Sequence, residues 1–273
     1  MLVIQNNITT IVLIGIALLL VAGALVGDRK RATALVAAGL LMAFTALAIG
    51  VHAHGWLTAY DAPTASWIGN AIHRSHRLDE ASLIIARLGS PAVIAAAGLI
   101  GAALLSWRAR SVRPGVIVIV TVGAVTVAET VMKAVVDRPL THAEVLASPL
   151  LSTDHHPFPS GHVAGTGALL GIIAVCIGVG QSRTMRALLT AVVVTGVLIV
   201  TWSRLYLGLH WLTDVVGGGL LAALFVILGD VALRMRRRPV WPPRTQGRRP
   251  ARRSRKSRTS CGVTLSWVRS NSP

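Results

Sequence analysis

The chain has 273 residues, is 53% hydrophobic and 14% charged, and has a mean hydropathy of +0.65. A charged share that far below the roughly 25% of soluble domains excludes an ordinary water-soluble core and points to one polytopic membrane domain. The net charge of +17 is concentrated: thirteen of the 27 Lys and Arg lie beyond residue 233, in a Pro-, Arg- and Ser-rich tail without a recognition module, which reads as a solvated segment drawn to anionic lipid, with no nucleic-acid partner.

A hydrocarbon layer about 30 Å thick takes roughly 20 helical residues. Runs of that size fall at 8–26, 32–51, 83–106, 114–136, 161–180, 187–202 and 212–233. In lipid each backbone group needs an internal partner, so the expected fold is all-α, a polytopic helical bundle. The first run follows "MLVIQNNITT", which lacks the basic leader of a cleaved signal; "DRKR" at 28–31 comes after it, as for a retained span. The expected division is residues 1–31 as an N-terminal span with its basic turn, 32–233 as the membrane domain, and 234–273 as a basic, disordered tail. Cys176 lies inside an apolar run and Cys261 in the tail, so no disulfide is expected.

Short basic connections at 27–31, 107–113 and 181–186 belong, with the tail, on the cytoplasmic side. The expected location is therefore the cell membrane, multi-pass, with the N-terminus outside and the connections 52–82, 137–160 and 203–211 facing outward. All nine histidines fall in those outward connections or at the helix ends beside them.

Along the outward connections, "ASWIGNAIHRSHRL" offers Trp67, Ile68, Ala71 and Ile72 as an apolar stripe, a candidate interfacial helix. In "ETVMKAVVDRP", Glu129, Lys133 and Asp137 share a helix face, and Pro139 ends the helix with Arg138 at the surface. "DHH" at 154–156, with His142, has no further spacing to support a metal site. In "FPSGHV", Ser160 is placed to cap a helix, Gly161 permits close backbone approach, and His162 stands beside a helix N-terminus suited to an anion. In "SRLYLGLHWLTD", Arg204 offers a planar fork for phosphate oxygens. A helix starting near His210 would put Asp214 one turn on, where a carboxylate orients one ring nitrogen and frees the other. "GGG" at 217–219 suits close helix packing.

Two histidines, a carboxylate, a lysine and two arginines on one membrane face fit phosphoryl transfer to histidine. The competing reading, an anion transporter or a catalytically inactive binder, would put the ionisable groups near the bilayer midplane in the transporter case. Lys133 with Arg138-Pro139, then "PSGH" at 159–162, then Ser203-Arg204 with His210 and Asp214, resembles the three-part signature of the type-2 phosphatidic acid phosphatase superfamily. The resemblance covers about residues 40–233 and implies a six-helix phosphatase core, the first run being an added span. It implies an enzyme that hydrolyses a lipid-linked phosphate or diphosphate (isoprenyl diphosphate favoured; phosphatidic acid or phosphatidylglycerol phosphate possible) without a metal or other cofactor. By the same resemblance His210 forms a phosphohistidine, Asp214 orients it, and His162 passes the proton, while Lys133, Arg138, Ser160, Gly161 and Arg204 hold the phosphate. The family pattern has its first arginine seven residues after the lysine; here that position is Leu140, and Arg138 stands five after Lys133.

Overall fold

The computed structural model describes residues 2–71, 75–139 and 156–235, all within the compact unit Met1–Arg237. Among the described residues there is helix and no strand. In chain order the helices are α1 (Leu2–Ala24), α2 (Arg29–His52), α3 (Asp61–Ala71), α4 (His76–Leu88), α5 (Pro91–Ala109), α6 (Arg113–Val136), α7 (Gly161–Gly178), α8 (Arg183–Tyr206) and α9 (Leu212–Met235), with a 3-10 turn at Trp56–Tyr60 before α3. Seven of them, all but α3 and α4, are long and apolar enough to cross a bilayer. This is a polytopic helical membrane protein. Val127, Leu104, Val192 and Leu198 lie exposed on the spans, where lipid rather than water suits them.

Seven antiparallel crossings sort the connections into two ends. The turns α1–α2, α5–α6 and α7–α8 and the end of α9 form a basic end, where Arg29, Arg186 and Arg234 line one cleft with Gly178 and Gln181. Arg113 caps α9 there, donating to the carbonyls of Ala232 and Leu233 at 2.8 and 2.7 Å, as cations do at helix C-termini. The opposite end carries α3, α4 and the loops before α7 and α9; it is the site end.

The run at 83–106 is not one helix. α4 stops at Leu88, Gly89 and Ser90 form the break, and Pro91 opens α5 as its first residue, a position where a missing N–H costs nothing. The third span is therefore 91–109, and residues 76–88 become a separate amphipathic helix packed on α8. In α3, Ile68 is buried while Trp67 is exposed, so these two do not share one environment; Ile72 lies outside the described residues.

The core is threaded by α7 and α9. Phe44, Leu47, Ala48 and Val51 of α2 meet Val125 and Val136 of α6, Ala164 and Ala168 of α7, and Leu221 of α9 around Phe158. A second cluster joins Ile94 and Ala102 of α5 with Val118 of α6 and Ile172 of α7. A side chain at Gly218 would come within 2.6 Å of the Ser160 carbonyl and one at Gly217 within 2.7 Å of the Phe158 ring. The glycines thus let α9 press against the start of α7; Gly219 faces open space. α1 stands apart from this core. It packs along α2, and at the site end Thr10 Oγ1 accepts from the Trp56 indole at 3.1 Å.

Candidate active site

The spacing Arg204-x5-His210 is a helix ending. α8 closes after Tyr206; Gly208 takes φ 68°, its N–H donates to the Leu205 carbonyl, and the Leu209 N–H donates to the Arg204 carbonyl, both at 3.0 Å. This pair of bonds is the Schellman closure that glycine permits. Arg204 is thereby held buried in the last turn of α8 while the chain reverses to deliver His210, also buried, ahead of α9.

The last helix starts at Leu212, with the last apolar run and two residues past the start near His210 considered for Asp214, and Asp214 caps it from within. The Trp211 N–H donates to Asp214 Oδ2 at 2.8 Å, the reach-back of a capping box by the third helical residue. The same Oδ2 stands 3.6 Å from His210 Nδ1, beyond hydrogen-bond length but close enough to hold the ring electrostatically and leave Nε2 for chemistry. The other oxygen, Oδ1, accepts from Arg138 Nη1 at 2.5 Å. Asp214 is wholly buried.

Ser160 occupies the cap position of α7, yet its hydroxyl makes no capping bond. The expected side-chain cap is absent; Oγ is buried without a hydrogen-bond partner among the described residues. What fixes Ser160 is its backbone, whose N–H donates to the Asp214 carbonyl at 3.0 Å. This bond joins the start of α7 to the start of α9. His162, in the first turn of α7, is hydrogen bonded to the backbone of Ala86 in α4, and Arg204, His210 and Lys133 are near enough to act on its charge. His210 has Arg204 and Lys133 among its own charged neighbours. Lys133, His162, Arg204, His210 and Asp214 therefore share one locus at the site end, drawn from α6, α7, α8 and the start of α9.

Lys133 is buried and pairs with Glu129 at 2.8 Å. That carboxylate lies against Gly161, where an added Cβ would fall 2.1 Å from Oε1 of Glu129. A carboxylate beside a helix N-terminus and a lysine marks the place as one that attracts anions. The electrostatics at His210 are set first by burial, which lowers its pKa from the ordinary 6.5; Asp214 pulls the other way, and Arg204 and Lys133 lower it further. Burial thus favours the neutral imidazole over the charged one.

Arg138 joins this cluster through Asp214, and its other bonds go to Thr213 and Asp61. Nη1 donates to Thr213 Oγ1 at 2.6 Å as well as to Asp214, Nη2 donates to Asp61 Oδ2 at 2.6 Å, and the guanidinium lies 5.6 Å over the Trp211 ring. Two residues outside the predicted site thus adjoin it: Asp61, buried at the first position of α3, and Glu129, which the sequence placed on a helix face with Lys133 and Asp137. For Asp61 the available signal was an acid in a chain with only ten acidic residues, set in "AYDAP". Of "DHH", Asp154 and His155 lie outside the described residues, as do His142 and Leu140; His156 pairs with Asp137 at 3.1 Å. No group of three His, Cys, Asp or Glu that could hold a metal occurs among the described residues.

Fold and site define a class: an integral membrane protein whose helices gather histidines, a carboxylate and fixed cations at one end of the bundle. The PAP2 superfamily profile matches residues 114–256, just over half of the chain, and the chain belongs to that superfamily. It is a membrane phosphoric-ester hydrolase, as the resemblance in its motifs implied. A crystal structure of a transmembrane PAP2-type phosphatidylglycerolphosphate phosphatase from Bacillus subtilis aligns with a TM-score of 0.62 at 22% identity, covering 71% of this chain and 94% of that one. At that identity the likeness speaks for the fold. No curated protein sequence matches the chain.

Proposed function

We propose that the chain hydrolyses a lipid-linked phosphate or diphosphate through a phosphohistidine on His210. The observation that carries this reading is the shared locus of His162, His210, Arg204 and Lys133 at the start of α7, with Asp214 beside the imidazole. In the first step His210 Nε2 gives its lone pair to phosphorus, the bond from phosphorus to the lipid-side oxygen breaks, and His162 donates a proton to that oxygen. In the second, His162 takes a proton from water, the hydroxide attacks phosphorus, and the phosphorus–nitrogen bond breaks to release phosphate. Asp214 steadies the imidazole as it becomes cationic. Lys133, Arg204, the Ser160 hydroxyl and the N–H groups beginning with Gly161 hold the equatorial oxygens, fixed positive groups that do the work a divalent ion does elsewhere. The sequence-based assignment of Arg138 to phosphate competes with its bonds to Asp61 and Asp214; the geometry favours a role behind Asp214.

Placement supports a lipid substrate, and the family resemblance supplies the preference among lipids. The site lies at one end of the spans, where a headgroup meets the interface and its tail remains in lipid. The favoured substrate is an isoprenyl diphosphate, with phosphatidic acid and phosphatidylglycerol phosphate as the other candidates. The bias of arginines to the opposite end supports a cell-membrane protein with the site outward, the N-terminus outside, and the basic tail inside against anionic lipid. Residues 1–31 form the added span and turn, and 32–233 the catalytic domain. The test is phosphate release by purified protein from a panel of these lipids in chelator, wild type against His210→Ala. Turnover by the variant at the wild-type rate would remove His210 as nucleophile, and a strict need for added divalent metal would remove the mechanism.

A further inference from the structure

Asp61 is 4% exposed, and its carboxylate makes three hydrogen bonds to two residues. Oδ1 accepts the Thr213 N–H at 2.9 Å; Oδ2 accepts the Thr213 hydroxyl at 2.8 Å and Arg138 Nη2 at 2.6 Å. The Thr213 hydroxyl in turn accepts from Arg138 Nη1 at 2.6 Å, and Nη1 also reaches Asp214. The bonds close a ring through Asp61, Thr213 and Arg138, with Asp214 held at its edge.

We propose that Asp61 is a positioning residue for the hydrolytic reaction, holding Arg138 and Thr213 so that the Asp214 carboxylate stays aimed at His210. The inference rests on the reading of His210 as nucleophile. Three arguments carry it. A guanidinium is planar, so when one nitrogen is fixed on Asp61 the direction of the other toward Asp214 is fixed as well. Thr213 and Asp214 are adjacent in the first turn of α9, so the two bonds from Asp61 to Thr213 set the rotation of the turn that carries Asp214. The charges also count: two carboxylates share one guanidinium, and the excess negative charge is left to face His210 through Oδ2 of Asp214. With Asp61 neutral, Arg138 would answer Asp214 alone and that excess would disappear. A buried cluster of this kind adds little net stability, because desolvation offsets pairing; what it fixes is geometry.

Asp61 begins α3, a helix of the site end that packs on α9, and it lies outside the residues matched by the family profile. The segment after α2 is thereby part of the catalytic apparatus at one remove.

The test uses the full-length protein in detergent micelles and whichever of phosphatidic acid, phosphatidylglycerol phosphate or isoprenyl diphosphate it turns over fastest. Asp61→Asn is expected to lower kcat about 10- to 100-fold, the range found when a supporting contact behind a reactive group is lost, with KM changed by less than about threefold. Placed on Asp214→Asn, the same substitution is expected to cost less than about twofold, since the route through Asp214 is already cut. Thr213→Val, which removes one member of the ring and leaves the Asp61–Arg138 pair, gives the same pattern at smaller size and carries the test if Asp61→Asn does not fold. Normal kcat in a folded Asp61→Asn protein would overturn the proposal, as would equal fold-losses on both backgrounds, the mark of general loosening. His210→Ala separates the two levels: an active His210→Ala protein sinks the nucleophile reading, while an inactive one beside a normal Asp61→Asn sinks only the role of Asp61.

Discussion

Asp214 divides its two oxygens between opposite tasks: Oδ1 is bonded to Arg138 at 2.5 Å, and Oδ2 faces His210 Nδ1 at 3.6 Å. Arg138 thus stands behind the acid that stands behind the imidazole. Were it a phosphate ligand, its loss would chiefly raise KM. Placed as it is, Arg138→Met is expected to lower kcat by about 100-fold or more, with KM moved far less, and to cost about 3–5 kcal/mol of stability because two buried carboxylates lose their partner. Steady-state kinetics and thermal unfolding in detergent check both parts; a KM-only effect would return Arg138 to the phosphate.

Ser160 supports a different expectation. Its hydroxyl is buried and bonded to nothing among the described residues, so removing it deletes no native hydrogen bond. Ser160→Ala should leave the unfolding midpoint unchanged or slightly raised, while losing about 1–1.5 kcal/mol of phosphate contact, roughly a tenfold fall in kcat/KM. A matching fall in stability would show that the hydroxyl serves the fold instead.

Burial sets His210 below the ordinary histidine value of 6.5, and the sign of its pH effect follows. The unfolded chain takes up a proton at His210 as pH falls through 6.5, and the folded chain resists doing so. The stability tied to a neutral His210 is therefore full above 6.5 and is lost as pH drops below it toward the folded value. The wild type should lose thermal stability faster than His210→Gln between pH 6.5 and 5. Parallel profiles for the two proteins would contradict the shift.

Orientation is open to direct labelling. Gly180 lies in the turn between α7 and α8 at the basic end, and Ser75 precedes α4 at the site end. With Cys176 and Cys261 replaced, Ser75→Cys should react with a membrane-impermeant maleimide on intact cells, and Gly180→Cys only after lysis. The reverse pattern would turn the site inward.

The membrane class, the seven long apolar helices and the groups gathered around His210 could be read along the chain, since each is recorded locally. An apolar run of about 20 residues has one solution in lipid, and a Gly-closed turn six residues long carries Arg204 and His210 together wherever it sits. The break at Gly89-Ser90-Pro91 was equally local, yet hydropathy alone ran through it, because the apolar end of the short helix, Leu83-Ile84-Ile85-Ala86, adjoins the span that follows. What local pattern did not contain was partnership. Arg138 has the chemistry of a phosphate clamp, and only packing shows it bonded to two carboxylates 77 and 76 positions away. Ser160 has the chemistry of a cap, and only the approach of α9, allowed by Gly217 and Gly218, moves its anchoring to the backbone. The sequence by itself determined which groups are present and at which end of the bundle they emerge. Only the tertiary structure decided which of them bond to one another and which gather around His210. A side chain's role depends on what it bonds, and its bonding partners here come from helices far apart in the chain.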